Sequence, residues 1–144
     1  MSQENVELVL RAYPAPGVNV AALVRDDRRW ARWIGELAPL FAPDVESVWP
    51  GFPGGARTFT GIDGMRAALL DWTIRWATYR SEVDEAIDCG ESVALIAPSF
   101  GRQPGSTREM RLEGANLWTV RHGRIVRVYT STVADVLQIA GLLV

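Results

Sequence analysis

Two stretches near the start of the chain have apolar residues at intervals of three and four, which is the period of an amphipathic helix. The first covers residues 4–13 and ends at the turn-forming segment Pro14-Ala15-Pro16-Gly17. The second covers residues 20–37, with its charged residues on a face that we interpret as solvated. Pro39 then predicts a short last turn that ends near Phe41. The chain is therefore predicted to open with two helices.

A third helix is predicted after a short strand and a loop. Residues 44–49 resemble a strand, and residues 50–55 are rich in the glycine and proline of loops. Thr60-Gly61-Ile62-Asp63 then has the pattern of a capping box, which opens a helix. One apolar stripe follows at helical spacing, made by Ile62, Met65, Leu69, Trp72, Trp76 and Tyr79.

The period changes to two after this stripe, which predicts strands. Strands are expected over residues 80–88, 92–100, 107–121 and 124–131, and Pro98 marks an edge or a bulge. His122-Gly123 is a hairpin signal, and Thr132 is predicted to cap a C-terminal helix that ends at Gly141. This order predicts an α+β fold, in which a curved antiparallel sheet wraps around the N-terminal and central helices and leaves a cone-shaped interior.

Composition narrows the function classes. The 144 residues predict a single domain spanning residues 1–144. The chain has no lysine, one histidine and one cysteine, which excludes lysine Schiff-base chemistry, two-histidine metal sites and internal disulfides. A net charge of −2 without a basic block argues against nucleic-acid binding. Apolar runs are too short to cross a membrane and no signal-peptide pattern opens the chain, so we expect a cytoplasmic protein.

Two polar side chains stand out on predicted apolar faces. Asn116 lies on the inward face of its strand between Leu112 and Trp118, where an amide needs a hydrogen-bond partner. It is either a hydrogen-bonding group for a ligand oxygen or an amide satisfied within the core. Tyr13 lies on the apolar stripe of the first helix, and its hydroxyl either stabilises an enolate or reaches the surface from a core position. Both are candidate oxyanion donors, and the catalytic base is not identified.

Aromatic side chains form the predicted ligand-binding set. They come from the first strand and the segment after it, the third helix and the longest strand: Trp49, Phe52, Phe59, Trp72, Trp76 and Trp118. Around one cavity they would suit a flat apolar ligand; the alternative is that they fill the core. His122 in its tight turn and Cys89 without a neighbouring base in sequence are predicted to be structural.

Five segments of the chain, in this order, resemble a known protein family. They are residues 5–13 from Asn5-Val6-Glu7-Leu8-Val9 through Tyr13, then Phe41-Ala42-Pro43-Asp44-Val45-Glu46, Thr60-Gly61-Ile62-Asp63-Gly64, residues 117–127, and Ala140-Gly141-Leu142. On these segments the chain resembles SnoaL-like proteins of the nuclear-transport-factor-2-like (NTF2-like) superfamily, which includes ketosteroid isomerases and polyketide cyclases. The resemblance implies a curved antiparallel sheet around three helices, an internal pocket and a homodimer.

The resemblance also implies roles for single residues. The donor tyrosine of the isomerases corresponds to Tyr13, and their donor aspartic acid corresponds to Asn116, which keeps a donor group. Their basic aspartate corresponds to Trp49, which cannot accept a proton. Relatives often carry an acidic residue where this chain has Thr132. The resemblance therefore supplies two donors and no base.

The sequence is compatible with three functions. Our main prediction is a protein that binds a small apolar molecule, a ketone or a polyketide-like compound, in its cone. The alternatives are an isomerase or cyclase acting on an enolisable carbonyl compound, with Asp44 or Glu46 as base, and a non-catalytic dimerisation module whose cone is filled. A small-molecule ligand and a second copy of the chain are the predicted partners, and neither a metal nor an organic cofactor is implied. Residues 14–33 exceed the minimal family length and are predicted to form a lid or to extend a helix.

Overall fold

Five α-helices and nine β-strands occur in residues 2–142, the part of the chain that the computed structural model describes. The helices are α1 (Ser2–Ala12), α2 (Val20–Arg25), α3 (Asp27–Leu37), α4 (Gly61–Thr73) and α5 (Val133–Ile139), with a 3₁₀ turn over Ala38–Leu40. The strands are β1 (Phe41–Trp49), β2 (Arg57–Thr60), β3 (Thr78–Ser81), β4 (Glu85–Asp88), β5 (Ser92–Ile96), β6 (Ser99–Arg102), β7 (Glu109–Leu112), β8 (Ala115–Arg121) and β9 (Arg124–Ser131). The predicted α+β class is confirmed.

The main core lies between α1 and the inner face of the sheet. Val9 and Ala12 of α1 are buried in one cluster with Val93, Leu95 and Trp118 from the strands. Burial of a side chain of this size contributes about 1.5–3 kcal/mol. The helical period of the first stretch therefore determines which face of α1 meets the sheet, and it places the end of this helix at the interior of the cone.

The predicted second helix is two helices in the structure. The break lies at Asp26, whose carboxylate accepts hydrogen bonds from the backbone N–H groups of Arg28 and Arg29, both at 3.0 Å. This cap starts α3 afresh. Asn19 caps α2 in the same way by accepting from the N–H of Ala22 at 3.3 Å. The Asp26 cap thus divides residues 20–37 into a buried short helix and a more exposed longer one.

Helix α4 ends earlier than its apolar stripe predicts. Thr60 holds the predicted N-cap position, but its side chain makes no capping hydrogen bond. The helix stops at Thr73. The Arg25 guanidinium donates hydrogen bonds to the backbone carbonyl oxygens of Thr73 and Trp76, at 2.6 and 2.8 Å. A side chain from α2 therefore satisfies carbonyls that a longer helix would have used, and Tyr79 belongs to β3 instead.

Three long strands that the alternation predicts are each broken in the middle. Residues 80–88, 92–100 and 107–121 become the pairs β3 and β4, β5 and β6, and β7 and β8. The breaks lie side by side, because Ala97 N–H donates to Gly114 O and Glu82 N–H donates to Pro98 O, both at 3.1 Å. The chain therefore forms a six-stranded sheet, β2-β1-β9-β8-β5-β4, and a three-stranded sheet, β3-β6-β7, and this division gives the curvature.

The sheet is mixed, which corrects the prediction of an antiparallel one. Strand β1 pairs with β9 in parallel, with Ser47 opposite Val128 and Val48 opposite Tyr129. The other described pairings are antiparallel. The parallel pairing is possible because the chain between β1 and β9 is long and includes α4, whereas a parallel pair cannot be joined by a tight turn.

The C-terminal part follows the predicted pattern closely. His122 and Gly123 have φ angles of 53° and 75° and form the two-residue turn between β8 and β9. The Thr132 side chain accepts a hydrogen bond from the Asp135 N–H at 3.1 Å and caps α5. Val136 of α5 is buried against the outer face of the sheet. None of the helices within residues 2–142 combines the length and the apolar character that crossing a bilayer requires.

Candidate functional site

A cavity of about 290 Å³ occupies the interior of the cone, so side chains do not fill it. The end of α1, helix α4 and inward-facing residues of both sheets make its wall, which is mainly apolar. Three lining residues are exposed, Gly51, Glu113 and Thr132, and they mark where the cavity meets solvent. The volume lies near the lower end of the range for small-molecule sites, about 300–1,000 Å³.

Five of the predicted site residues line this cavity: Tyr13, Trp49, Trp72, Asn116 and Trp118. Trp49 and Trp72 form one aromatic pair, with ring centroids 5.0 Å apart. Tyr13 and Trp118 form a second pair, in edge-to-face contact at 6.0 Å. The members of each pair are far apart in the sequence, and the tertiary fold brings them together around one cavity.

Three of the predicted ligand-binding residues do not line the cavity. Phe52 and Phe59 pack behind Trp49, with centroid distances of 5.7 Å between Trp49 and Phe52 and 5.6 Å between Phe52 and Phe59. Trp76 lies beyond the end of α4, where its ring covers Gly101 and contacts Tyr79. Because α4 ends at Thr73, Trp76 leaves the helical stripe that was expected to direct it inward.

Strands β1, β9 and β8 form a wall with unpaired polar atoms. Ser47 and Trp118 both lie opposite Val128, and Asn116 lies opposite Thr130 two residues further along β9. The Asn116 Nδ2 group donates to Thr130 Oγ1 at 3.1 Å. Four buried side-chain atoms within residues 2–142 have no hydrogen-bond partner: Ser47 Oγ, Trp49 Nε1, Asn116 Oδ1 and Trp118 Nε1. All four belong to residues that line the cavity.

The hydroxyl groups of Tyr79, Ser81 and Ser99 on the three-stranded sheet all have hydrogen-bond partners. Trp72 Nε1 donates to the Tyr79 hydroxyl at 2.8 Å, and the Ser81 and Ser99 hydroxyls are 2.9 Å apart. Burial raises the pKa of Tyr13, although the Ser81 hydroxyl partly offsets the effect. Burial also raises the pKa of Tyr79, against the hydrogen bonds with Ser99 and Trp72. Both phenols are therefore neutral donors at physiological pH.

Carboxylates are scarce at the cavity. Asp44 and Glu46 are exposed, on the face of β1 opposite to Ser47, and neither lines the cavity. Among the described residues the one charged group on the wall is Glu113, which is exposed and paired with Arg111, its Oε2 lying 2.6 Å from the Arg111 Nε. Tyr13 and Asn116 thus share the cavity without a buried carboxylate beside them. Residues 2–142 also hold no group of three His, Cys, Asp or Glu side chains placed to ligate a metal.

The segment 14–33, for which a lid or a longer helix was predicted, forms part of the wall. Pro14, Val20 of α2 and Trp33 of α3 line the cavity, and Trp33 packs on Trp30 with ring centroids 5.4 Å apart. The extra residues therefore supply apolar surface to the cone.

Sequence reasoning missed several polar residues of the wall, namely Ser47, Tyr79, Ser81, Ser99 and Thr130. The sequence signal that could have identified the serines and Thr130 was a small polar residue at an inward position of an otherwise apolar strand. Ser81 and Ser99 lie opposite each other in the register of β3 and β6, and that pairing is visible only in the structure.

Solved structures support the fold. A putative SnoaL-like polyketide cyclase from Jannaschia sp. CCS1 is 18% identical, with a TM-score of 0.67 and coverage of 98% of this chain and 93% of that one. TerC, co-crystallized with polyporic acid, is 22% identical at a TM-score of 0.67, with coverage of 95% and 97%. An NTF2-like protein of unknown function from Burkholderia pseudomallei K96243 is 20% identical at 0.65, with coverage of 97% of both chains. At these identities the likeness establishes the fold alone.

The sequence itself matches a family model. No protein of curated function matches the chain. The model for the SnoaL-like domain matches residues 20–128, from the first residue of α2 into β9. This match covers more than half of the chain and shows that the chain belongs to the SnoaL-like domain family.

Proposed function

We propose that this protein binds a small, flat, apolar molecule with a carbonyl group, a ketone or a polyketide-like compound, inside its cone. The observation that carries the proposal is the cavity of about 290 Å³ inside the cone, whose mainly apolar wall includes Trp49, Trp72 and Trp118. Tyr13 lies on the same wall as a neutral phenol, and a carbonyl oxygen is the matching acceptor for its hydroxyl.

The aromatic side chains favour a flat ligand. Trp49 and Trp72 are tilted by 40° to each other, and Tyr13 and Trp118 meet at 66°. Rings in such arrangements present both faces and edges to a cavity, and a planar ligand packs against them over a large area. The rest of the wall is mainly apolar, so burial of the hydrocarbon part of a ligand against it is favourable.

The structural neighbours support the same class of ligand. One is described as a putative SnoaL-like polyketide cyclase, and another was co-crystallized with polyporic acid. These descriptions concern the neighbours, and they support testing oxygenated aromatic compounds on this chain. Fold alone does not determine activity.

An isomerase or cyclase acting on an enolisable carbonyl compound is the second candidate. The Tyr13 hydroxyl on the cavity wall favours it, because a neutral phenol can donate to a developing enolate. Enolisation also needs a base within hydrogen-bonding reach of the α proton. The described part of the wall offers Glu113 alone as a carboxylate, and Arg111 already engages it. Binding without enolisation is therefore the better-supported function.

Binding of 2-acetylnaphthalene, a neutral flat ketone, tests the proposal. Ligand-detected NMR and quenching of tryptophan fluorescence should both show saturable binding. Ala68 is buried and lines the cavity, whereas Ala67 on the same helix is exposed and does not. We expect Ala68→Met to weaken binding by at least about tenfold by occupying the space, and Ala67→Met to leave it unchanged. An absence of saturable binding, or full affinity in a folded Ala68→Met variant, would contradict the proposal.

A further inference from the structure

Helix α3 reaches the cavity through the side chain of Trp33, which is the residue of this helix in the described lining. Most positions of α3 are exposed, and Trp30 is its buried residue. Trp30 does not line the cavity. The helix therefore lies on the outside of the cone and closes part of it with one indole ring.

Trp33 lies at the boundary between the buried and the exposed face of α3. Residues three and four positions apart are neighbours on a helix surface. Trp30 on one side of Trp33 is buried, whereas Arg29 and Glu36, at the corresponding distances on the other side, are exposed. The Trp33 ring thus stands between the cavity and solvent.

Trp49, on another part of the wall, has a second layer of protein behind it. Its residue is 8% exposed, and the ring of Phe52 packs on it with centroids 5.7 Å apart. Phe59 packs on Phe52 in turn, at 5.6 Å. Loss of the Trp33 ring therefore extends the cavity towards solvent, whereas the wall at Trp49 is backed by further aromatic rings.

Contacts from behind hold the Trp33 ring in place. The Trp30 ring lies 5.4 Å from it, tilted by 40°. The Arg66 guanidinium of α4 lies 5.8 Å from the centroid of the Trp30 ring. Arg66 also donates to the Val24 carbonyl oxygen at 2.9 Å and to the Asp27 carboxylate at 2.7 Å. These contacts fix the start of α3 and make the ring a fixed boundary of the cavity.

The space inside this boundary is small. The cavity of about 290 Å³ lies near the lower end of the range for small-molecule sites, about 300–1,000 Å³. Side chains in a close-packed wall give way only at a cost in free energy. A ring system that overlaps the position of the Trp33 indole is therefore excluded.

We infer that Trp33 sets the upper limit on the size of the ligand that the cone accepts. Its ring occupies space that a larger ligand needs. The backbone of α3 does not depend on this ring, because the Asp26 cap and the contacts of Arg66 hold the start of the helix. The inference rests on the proposed binding function and assigns its size selection to one residue.

Two flat ketones of different size test the inference by equilibrium dialysis, with each ketone measured by its absorbance. 1-Acetylpyrene has two more fused rings than 2-acetylnaphthalene. Its larger apolar surface would make it the tighter ligand if size were not limited. We expect the wild-type protein to bind 2-acetylnaphthalene at least about tenfold more tightly than 1-acetylpyrene.

Substitution of Trp33 is expected to relax this selection. Trp33→Ala should bind 1-acetylpyrene at least about tenfold more tightly than the wild-type protein does. Its affinity for 2-acetylnaphthalene should fall, because the smaller ketone loses contact with the indole. Trp33→Leu keeps apolar bulk at this position and should give an intermediate ratio of the two affinities.

Ile34→Ala is the matched control. Ile34 follows Trp33 on the same helix and is partly buried, but it does not line the cavity. This variant loosens α3 without enlarging the described cavity, and it should leave the ratio of the two affinities within about twofold of the wild-type ratio. Thermal unfolding of each variant checks that the protein is folded, and Trp33→Leu carries the test if Trp33→Ala does not fold.

The outcomes separate the inference from the proposed function. The inference is overturned if the wild-type protein binds 1-acetylpyrene as tightly as 2-acetylnaphthalene. It is also overturned if folded Trp33 variants keep the wild-type ratio, or if Ile34→Ala changes that ratio as much as Trp33→Ala does. Each of these results leaves the proposed binding function in place. If 2-acetylnaphthalene does not bind to the wild-type protein, the proposed function fails and the inference fails with it.

Discussion

Gly101 of β6 lies directly against the indole ring of Trp76, and a Cβ placed at Gly101 would stand 2.5 Å from Cε3 of that ring. The ring is buried and packs against Tyr79 as well. Gly101→Ala is therefore expected to lower the free energy of unfolding by about 1–3 kcal/mol, because the added methyl group forces the ring or the strand to move. Urea denaturation measures the change.

Gly35 provides the matched control for this substitution. It lies inside α3, and a Cβ there meets no atom within 4 Å. Gly35→Ala should raise stability by up to about 1 kcal/mol through helix propensity. If both alanine variants changed the free energy of unfolding by the same amount, the Trp76 ring would move easily and would not hold β6 in place.

The hydrogen bond from Trp72 Nε1 to the Tyr79 hydroxyl, at 2.8 Å, joins α4 to β3. Tyr79→Phe leaves the indole donor without its partner and is expected to destabilise the protein by about 1–3 kcal/mol in urea denaturation. Tyr129→Phe is the comparison, because the Tyr129 hydroxyl donates to Asp135 at a half-exposed site where water can replace the lost partner, so this change should destabilise the protein less. The prediction is wrong if Tyr129→Phe proves the more damaging change.

All three tyrosines have raised pKa values, with burial as the largest cause for Tyr13, Tyr79 and Tyr129. In the unfolded chain their phenols ionise near about pH 10. The folded protein holds these protons to higher pH, so its stability should fall as the pH rises above about 10. Tyrosinate absorbance measured against pH should rise later in the native protein than in concentrated urea. Coincident titration curves would contradict the burial of these groups.

The shortage of carboxylates at the cavity predicts that bound ketones do not enolise. When 2-acetylnaphthalene is incubated with the protein in D₂O, exchange of its methyl protons, followed by NMR, should proceed at the rate of buffer alone. Glu113→Gln separates the alternatives, since Glu113 is the described carboxylate on the wall. Exchange that the wild-type protein accelerates and this variant does not would establish an enolising enzyme with Glu113 as its base.

The homodimer that the family resemblance implies remains a prediction. Sedimentation equilibrium at micromolar concentration should give twice the mass of one chain. A monomer at every concentration that supports ligand binding would show that the cone is complete within a single chain.

Local patterns in the sequence determined much of the fold and part of the site. The helical period placed Tyr13 at the end of α1, and the alternation along β1 placed Ser47 and Trp49 on the face opposite to Glu46. The His122-Gly123 turn and the Thr132 cap also follow from short-range chemistry. These features depend on residues a few positions apart, and the repeat of a helix or strand therefore specifies them.

Only the tertiary structure decided how the elements meet. Arg25 satisfies carbonyls at the end of α4 from 48 and 51 residues away, and Trp76 leaves the predicted stripe there. The breaks at Pro98 and at Gly114 lie together because β5 and β8 are paired, and they bend the sheet into a cone.

The same distinction applies to the cavity. Four of its aromatic members were predicted from the sequence, namely Tyr13, Trp49, Trp72 and Trp118, whereas Trp33, Phe41 and Tyr79 were not. The pairing of its polar atoms was not visible in the sequence either. The Asn116 Nδ2 group donates to Thr130 on the next strand, whereas its Oδ1 has no partner. The sequence by itself thus determined the type and order of most elements and five of the residues that line the cavity. The long-range register of the strands decided which of its polar groups pair with one another, because hydrogen-bond partners across a sheet are set by tertiary pairing and not by neighbours along the chain.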